Sequence, residues 1–344
     1  VTPATTAPVT TSPATTAPPA AVVAHDWVEH QTGSDCKCAS GTDYTYWTRD
    51  ASQTKVVLYL EGGGACFSAE TCSFTDGSYS VYAGHKGSPA NANGIFSLSR
   101  QGNPFADWSF IYMPNCTGDV HIGNSVHEYA LGLVVNHNGF TNASHGLDYL
   151  AEHYPDATDV FVMGSSAGGV AAPLYAGLVS DILPDANISV LADGAGSYPD
   201  IPDLNVQLSD LWGTMSVVPD WSVNAAMTAA DWSLPGLYVQ SGLHDPSIRM
   251  ARFDYARDHV QAGFTDAAGV GSNDRLARLD QNETNIEAAG VNLSVYVAPG
   301  DKHTILKSNK IFQMSVEGVP FINWLWSYVN GENIPDVHCT NCGP

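Results

Sequence analysis

Between residues 159 and 183 an apolar run, Asp159-Val-Phe-Val-Met163, passes through Gly164-Ser165-Ser166-Ala167-Gly168 into a stretch of small residues that ends near Leu183. This junction constrains the chain more than any other segment. A strand that hands over to a helix through G-x-S-x-G must turn sharply, and its glycines let backbone approach where a side chain would collide. The central Ser166 is then left at the C-terminal edge of a sheet as a nucleophile, while Ser165 occupies a variable position and reads as structural. The competing reading is a glycine-rich turn with an ordinary N-cap serine. The pattern alone is weak; the strand before it and the helix after it favour the elbow.

The rest of the chain keeps the same rhythm. Runs at 55–60, 108–113, 188–192, 236–240 and 293–297 read as strands, and segments 139–154, 167–183 and 320–329 as helices. Strands alternating with helices predict an α/β fold with a mostly parallel sheet covered on both faces. Residues 199–235 break the rhythm. They hold Trp212, Met215, Trp221 and Trp232 among several prolines and read as an inserted Trp-rich cap. Residues 1–22, with PATTAP at 3–8 and again at 13–18, cannot bury a core and read as a semi-rigid linker before one domain spanning 23–344. A chain that starts at Val1 without a leader is expected to be a mature or trimmed form.

Composition narrows the partners. The chain has 344 residues, 35 acidic and 13 basic, for a formal net charge of −22. A field of that sign repels nucleic acid and anionic membrane surfaces, and no apolar run approaches the roughly 20 residues of a membrane helix. A monomer is expected. Cysteines stand at 36, 38, 66, 72, 116, 339 and 342. Their spacing does not suit zinc, so a secreted protein with up to three disulfides and one leftover thiol is expected. Six paired cysteines allow 15 connectivities. Because neighbours in Cys-x-Cys rarely bridge each other, at least one bridge is expected to tie Cys36 or Cys38 to Cys339 or Cys342.

Glu61-Gly62-Gly63-Gly64-Ala65-Cys66 follows the first core strand. Esterases place such a loop here so that backbone N–H groups face a developing oxyanion. Gly63 or Gly64, together with the N–H of Ala167, are the expected donors. A phosphate loop would need Gly-Lys-[Ser/Thr] and a helix, and neither follows. A plain turn is the remaining alternative.

Taken in order, LEGGGAC at 60–66, NCTGDVHIGN at 115–124 and GSSAGG at 164–169 resemble the pectin acetylesterase/Notum family of α/β-hydrolases, over most of residues 55–305. This chain carries Ala65 and His121 where plant and animal members carry Trp, and Asp193-Gly-Ala-Gly-Ser-Tyr-Pro-Asp200 where they have a DSGWFLD-like stretch. GGGAC in place of GGGWC suits a bacterial-type branch. The triad order in this fold is Ser, then acid, then His. Asp245, in the loop after the strand expected at 236–240, is the expected acid, and the family's Asp falls on it. Asp254 and Asp258 are rivals that read as the solvated face of a helix over RMARFDYARDHV. His303, just after the strand at 293–297, is the expected base, where the family's base also falls. His244, His259 and His338 read as surface or satisfied core histidines. Asp119 and His121 either line the cleft or belong to a loop pinned by Cys116.

The reading is a secreted serine carboxylesterase with Ser166, Asp245 and His303 as its triad. The resemblance implies an acylated polysaccharide, acetylated above all, as substrate. Ala65 leaves space that Trp would fill, so Phe67, Trp212, Met215 and Trp221 are the next candidates to bound an acyl pocket. Bulkier acyl esters or polyesters are the alternative substrates. A catalytically silent carbohydrate-binding module is the alternative from another class. No cofactor and no metal are expected.

Overall fold

The computed structural model describes residues 25–84, 87–271 and 274–343; the Thr/Pro/Ala-rich segment 1–22 lies outside them. Strands β1 (Val28–Gln31), β2 (Thr45–Arg49), β3 (Lys55–Leu60) and β4 (Ser109–Met113) precede a small hairpin of β5 (Ser125–Ala130) and β6 (Leu133–His137). Next come α1 (Gly139–His153), β7 (Asp159–Ser165), α2 (Ala167–Ile182) and β8 (Asn187–Asp193). The stretch before α4 (Gly236–His244) holds α3 (Pro202–Trp212) and short 3-10 turns. The chain then runs through β9 (Arg249–Tyr255), α5 (His259–Ala267), α6 (Arg275–Ala288) and β10 (Leu293–Ala298). A ribbon of β11 (Ser315–Val316) and β12 (Val319–Pro320), then α7 (Phe321–Val329) and β13 (Val337–His338), complete it.

Among the described residues, nine strands form one sheet in the order β1-β2-β4-β3-β7-β8-β9-β10-β13. Only β2 runs against its neighbours; the other pairings are parallel. Because a parallel sheet is buried on both faces, its strands read as apolar runs whose alternate residues serve two cores. On β3, Val56, Leu58 and Leu60 enter a core shared with α1 and α2, while Val57 and Tyr59 enter a second core against α7. Helix α7 shows why it covers that second face. Phe321, Trp324, Leu325 and Tyr328 recur at helical spacing and are all buried. Each such side chain contributes about 1.5–3 kcal/mol through burial.

Two assignments differ from the sequence reading, and they are linked. Residues 236–240, expected as a strand, form helix α4. Pro235 is its N-cap, and Leu237, Tyr238, Gln240 and Ser241 are buried on it. Residues 249–255, expected as a helix with a solvated acidic face, form β9 between β8 and β10. The charges that suggested a wet helix face are buried: Arg252 is 1% and Asp254 0% exposed, and they face each other at 3.6 Å. A pair of buried opposite charges imitates amphipathic spacing in the sequence.

The cysteines pair as Cys38–Cys116, Cys66–Cys72 and Cys339–Cys342, and Cys36 is a buried free thiol. Burial pushes the Cys36 thiol up to about 11. The expected bridge between chain ends does not form. Cys36 and Cys38 lie near β2 at one edge of the sheet, and Cys339 follows β13 at the other. Seven strand spacings of about 4.8 Å separate them, roughly 34 Å, whereas a disulfide needs Cα atoms within about 7 Å.

Loop length ranks these bridges. Cys38–Cys116 spans 78 residues and Cys339–Cys342 spans three. Replacing the first pair by alanine is expected to cost about 4 kcal/mol, and the second about 2 kcal/mol, on chain-entropy scaling. Urea unfolding of the two double variants checks the order.

Candidate active site

The C-terminal ends of β3, β7, β8, β9 and β10 converge on one edge of the sheet, and the chemistry-bearing residues lie in the turns beyond them. After β7 the backbone at Ser166 is forced to φ 57°, ψ −120°, a left-handed region that non-glycine residues rarely adopt. The surroundings hold it there. Ser166 N–H donates to Asp193 O at 2.7 Å. A Cβ at Gly168 would lie 1.9 Å from Leu60 O, so the first turn of α2 can press against the end of β3 only with glycine there. A Cβ at Gly62 would lie 2.5 Å from Ser165 O and 2.9 Å from Ser166 Cβ. The glycine loop and the elbow are therefore in direct contact.

His303 sits in the loop after β10. Its Nδ1 donates to Asp258 Oδ2 at 2.6 Å, and Asp258 is 1% exposed. With Nδ1 facing a carboxylate, the proton sits there and Nε2 carries the lone pair. Nε2 is buried and has no hydrogen-bond partner. The structure therefore joins His303 to Asp258 and not to Asp245. Asp245 caps the C-terminus of α4, where its Oδ1 accepts from the Ser247 N–H at 2.9 Å and from the Ser247 hydroxyl at 2.7 Å. It precedes β9, whereas Asp258 follows it. Seven strand residues at about 3.3 Å each put the two carboxylates near opposite ends of the sheet. With residues 249–255 a strand, Asp245 lies at the edge of the sheet away from His303.

Ser166, His303, Gly62, Gly63, Gly64 and Lys307 line one cleft of about 400 Å³. Ala167 opens α2 directly after Ser166, and N–H groups in the first turn of a helix have no partner within it. Lys307 Nζ donates to Glu61 Oε1 and to the Tyr112 hydroxyl, each at 2.7 Å. From beneath, His121 Nε2 donates to Glu61 O at 2.8 Å. Asp119 is fully buried and accepts from the Thr117 hydroxyl and the backbone N–H groups of His121 and Gly139. Asp119 and His121 thus brace the glycine loop, and Cys116 pins the same segment to Cys38.

Beside the cleft lies an apolar chamber of about 50 Å³. Ala65, Phe67 and Trp212 line it together with Val170 and Leu208, and Phe264 lines both spaces. Two other residues expected at the pocket lie elsewhere. Met215 is 36% exposed, on a 3-10 turn. Trp221 stacks on His244 at 4.2 Å, donates to Asp181 and packs on Gly177, behind α2.

Sequence reasoning did not single out Asp193. Asp193 is fully buried at the end of β8 and accepts from the N–H groups of Ile305 and Leu306 and from the Ser165 hydroxyl. It ties the elbow to the loop that carries His303. A carboxylate closing an apolar strand, NISVLAD, was the available signal. Clusters of candidate metal ligands among the described residues, such as Asp280, Glu283 and His338, do not include the cleft residues, and two of the sulfurs so grouped are joined in a disulfide. Among the described residues no helix is long and apolar enough to cross a membrane.

The sequence model of a family described as pectinacetylesterase matches residues 17–220. The palmitoleoyl-protein carboxylesterase NOTUM of Schmidtea mediterranea is 29% identical over 153 residues, covering 41% of this chain and 28% of that protein. Pectin acetylesterase 5 of Arabidopsis thaliana is 25% identical over 181 residues, covering 52% of this chain and 42% of that one. The chain spans less than half the length of these relatives. A solved structure of the Wnt deacylase Notum from Drosophila superposes with a TM-score of 0.65 at 14% identity, over 91% of this chain and 97% of that chain. The shared architecture is the α/β-hydrolase fold.

Burial raises the Asp193 carboxyl from 3.8 to about 6 despite its donors. A carboxyl raised on folding stabilises the folded state below its unfolded value, and that contribution is lost as pH climbs through 6. Relative to wild type, Asp193→Asn should therefore gain about 2 kcal/mol of stability between pH 4 and pH 7. Urea unfolding of both proteins across that range reads this difference.

Proposed function

The chain belongs to the pectinacetylesterase family, and from that premise we propose that it is a serine carboxylesterase with Ser166 as nucleophile, His303 as base and Asp258 as acid member. The observation that carries this is the 2.6 Å bond from His303 Nδ1 to buried Asp258, which leaves Nε2 free in the cleft that holds Ser166. The Ser166 hydroxyl attacks the ester carbonyl while His303 Nε2 takes its proton. The N–H groups of Gly63 or Gly64 and of Ala167 receive the oxyanion. The tetrahedral intermediate collapses, His303 returns the proton to the leaving alcohol, and an acyl-Ser166 remains. Water, deprotonated by His303, then releases the acid and restores the serine. Asp258 fixes the tautomer and stabilises the imidazolium.

The two spaces divide the substrate. The open cleft, with the hydroxyls of Ser78 and Ser80 and the Lys307 ammonium among its walls, offers hydrogen-bond partners to a carbohydrate alcohol, in keeping with an acylated polysaccharide. The apolar chamber takes the acyl side. At roughly 10–15 Å³ per water-sized group, 50 Å³ holds about four such groups, so acyl chains of about four to six carbons fit as well as acetate. Three disulfides suit an oxidising, extracellular compartment.

Ser166→Ala should abolish labelling by a fluorophosphonate and hydrolysis of p-nitrophenyl acetate. Asp258→Asn should lower kcat about a thousandfold or more by admitting the wrong tautomer, while Asp245→Asn stays within about twofold. Full activity in Asp258→Asn would sink the assignment, and an unlabelled wild type would leave a binding module as the reading.

Ala65→Trp fills the chamber. It should lower kcat/KM for butyrate and hexanoate esters far more than for acetate, with each lost methylene contact worth up to about 0.8 kcal/mol. An ester series from acetate to decanoate measures this. Equal losses along the series would place the acyl group elsewhere.

A further inference from the structure

Behind the His303–Asp258 pair lies a polar cluster with no surface exposure to explain it. Gln261, in the first turn of α5, is 0% exposed. Its oxygen accepts from the Ser197 backbone N–H at 2.8 Å and the Ser197 hydroxyl at 2.9 Å. A backbone N–H can only donate, so this contact identifies the oxygen and turns the amide nitrogen the other way. That nitrogen donates to Asp258 Oδ2 and to Asp254 Oδ1, each at 3.1 Å. Every hydrogen-bonding position of the amide is used, and the two carboxylates share its two N–H groups. Glutamate would have no second donor to offer, and methionine none.

Both carboxylates are otherwise fixed. Asp258 Oδ1 accepts the N–H groups of Val260 and Gln261 as the N-cap of α5. Asp254 Oδ1 accepts the Gly196 N–H at 2.9 Å, while its Oδ2 is buried without a hydrogen bond and 3.6 Å from Arg252 Nε. Arg252 in turn reaches Glu283 at 3.2 Å.

We propose that Gln261 and Asp254 are positioning residues for the proposed hydrolysis: Gln261 aims Asp258 at His303, and through the shared amide the charge on Asp254 sets the pH at which His303 becomes a base. This inference rests on Asp258 and His303 being the acid member and base. Burial, with the Asp258 charge adding to it, pushes the Asp254 carboxyl up to about 6, so that charge changes within a working pH range. The other groups facing the cluster are Tyr198, Tyr238 and Tyr255, whose hydroxyls burial pushes up so far that they stay neutral there. Asp193, also raised to about 6, faces His303 from the β8 side. Glu283 faces Arg252 and is shared with His338.

The test is the pH profile of kcat/KM for p-nitrophenyl acetate, whose acid limb reports the free enzyme's base. Asp254→Asn removes a negative charge and should move that limb to lower pH by about half a unit. Gln261→Glu places a third carboxyl against the other two; like charges this close do not all ionise, so it holds a proton and offers one donor where the amide offered two, leaving Asp258 and Asp254 with more uncompensated charge. It should move the limb to higher pH by about half a unit, roughly a threefold loss at any pH below the limb. Shifts in opposite directions are what a packing role would not produce. Folded variants, shown by cooperative melting, whose limbs superpose on wild type overturn the inference, as does a uniform drop in rate at all pH. Where Gln261→Glu does not fold, the shift of Asp254→Asn decides alone. Loss of activity in Asp258→Asn together with unmoved limbs overturns only this inference. An active Asp258→Asn overturns it along with the triad on which it rests.

Discussion

The turn at Ser166 holds a serine in a backbone region that ordinarily costs about 1–3 kcal/mol, and much of the surrounding structure is arranged to hold it there. The Ser166 N–H is tied to the end of β8, the start of α2 is pressed on the end of β3, and the glycine loop lies against Ser165 and Ser166. None of these contacts is local in sequence. They exist because parallel strands end together at one edge, so the loops after β3, β7, β8, β9 and β10 have only one another to pack against. A strained residue persists where its neighbours over-determine it.

Buried charge is the second organising theme. The chain carries few charged residues for its size, and several of those it has are placed inside. Asp119 braces the glycine loop, Asp193 joins the elbow to the histidine loop, and Asp254 and Asp258 lie behind the histidine. All are almost completely excluded from solvent. Each accepts backbone N–H groups, which offset the desolvation of a carboxylate and fix its rotamer at the same time. Burial raises some of these groups toward neutrality. A protein built this way carries its electrostatics in rigid backbone contacts rather than in long surface side chains.

The apolar chamber depends on a different part of the fold. Ala65 is a small residue after the glycine loop, Val170 lies on α2, and Leu208 and Trp212 come from α3, between β8 and α4. The Trp212 indole N–H donates to Cys66 O at 2.8 Å, which fixes α3 against the glycine loop. Chamber width and the position of α3 are therefore set by the same contact.

The sequence by itself determined the elements whose signals are local. The elbow, the glycine loop, a histidine after the last long parallel strand and the two-faced apolar strands are all written in contiguous residues and periods. The count of seven cysteines set an upper bound of three disulfides, and the structure fills it with one thiol left over. The tertiary structure decided which distant groups meet. Asp258 rather than Asp245 faces His303 because β9, with its buried Arg252 and Asp254, is a strand whose charges imitate a helix face, and because α4, whose Leu237-Tyr-Val239 run reads locally as a strand, is a helix. Cys38 joins Cys116 rather than the tail because strand order puts the chain ends at opposite edges of the sheet. Trp221 leaves the pocket to Trp212 because its indole N–H finds Asp181 behind α2, and Met215 stands exposed on a 3-10 turn. Local propensity is carried by neighbours in sequence; strand order and the pairing of buried charges are properties of the assembled sheet.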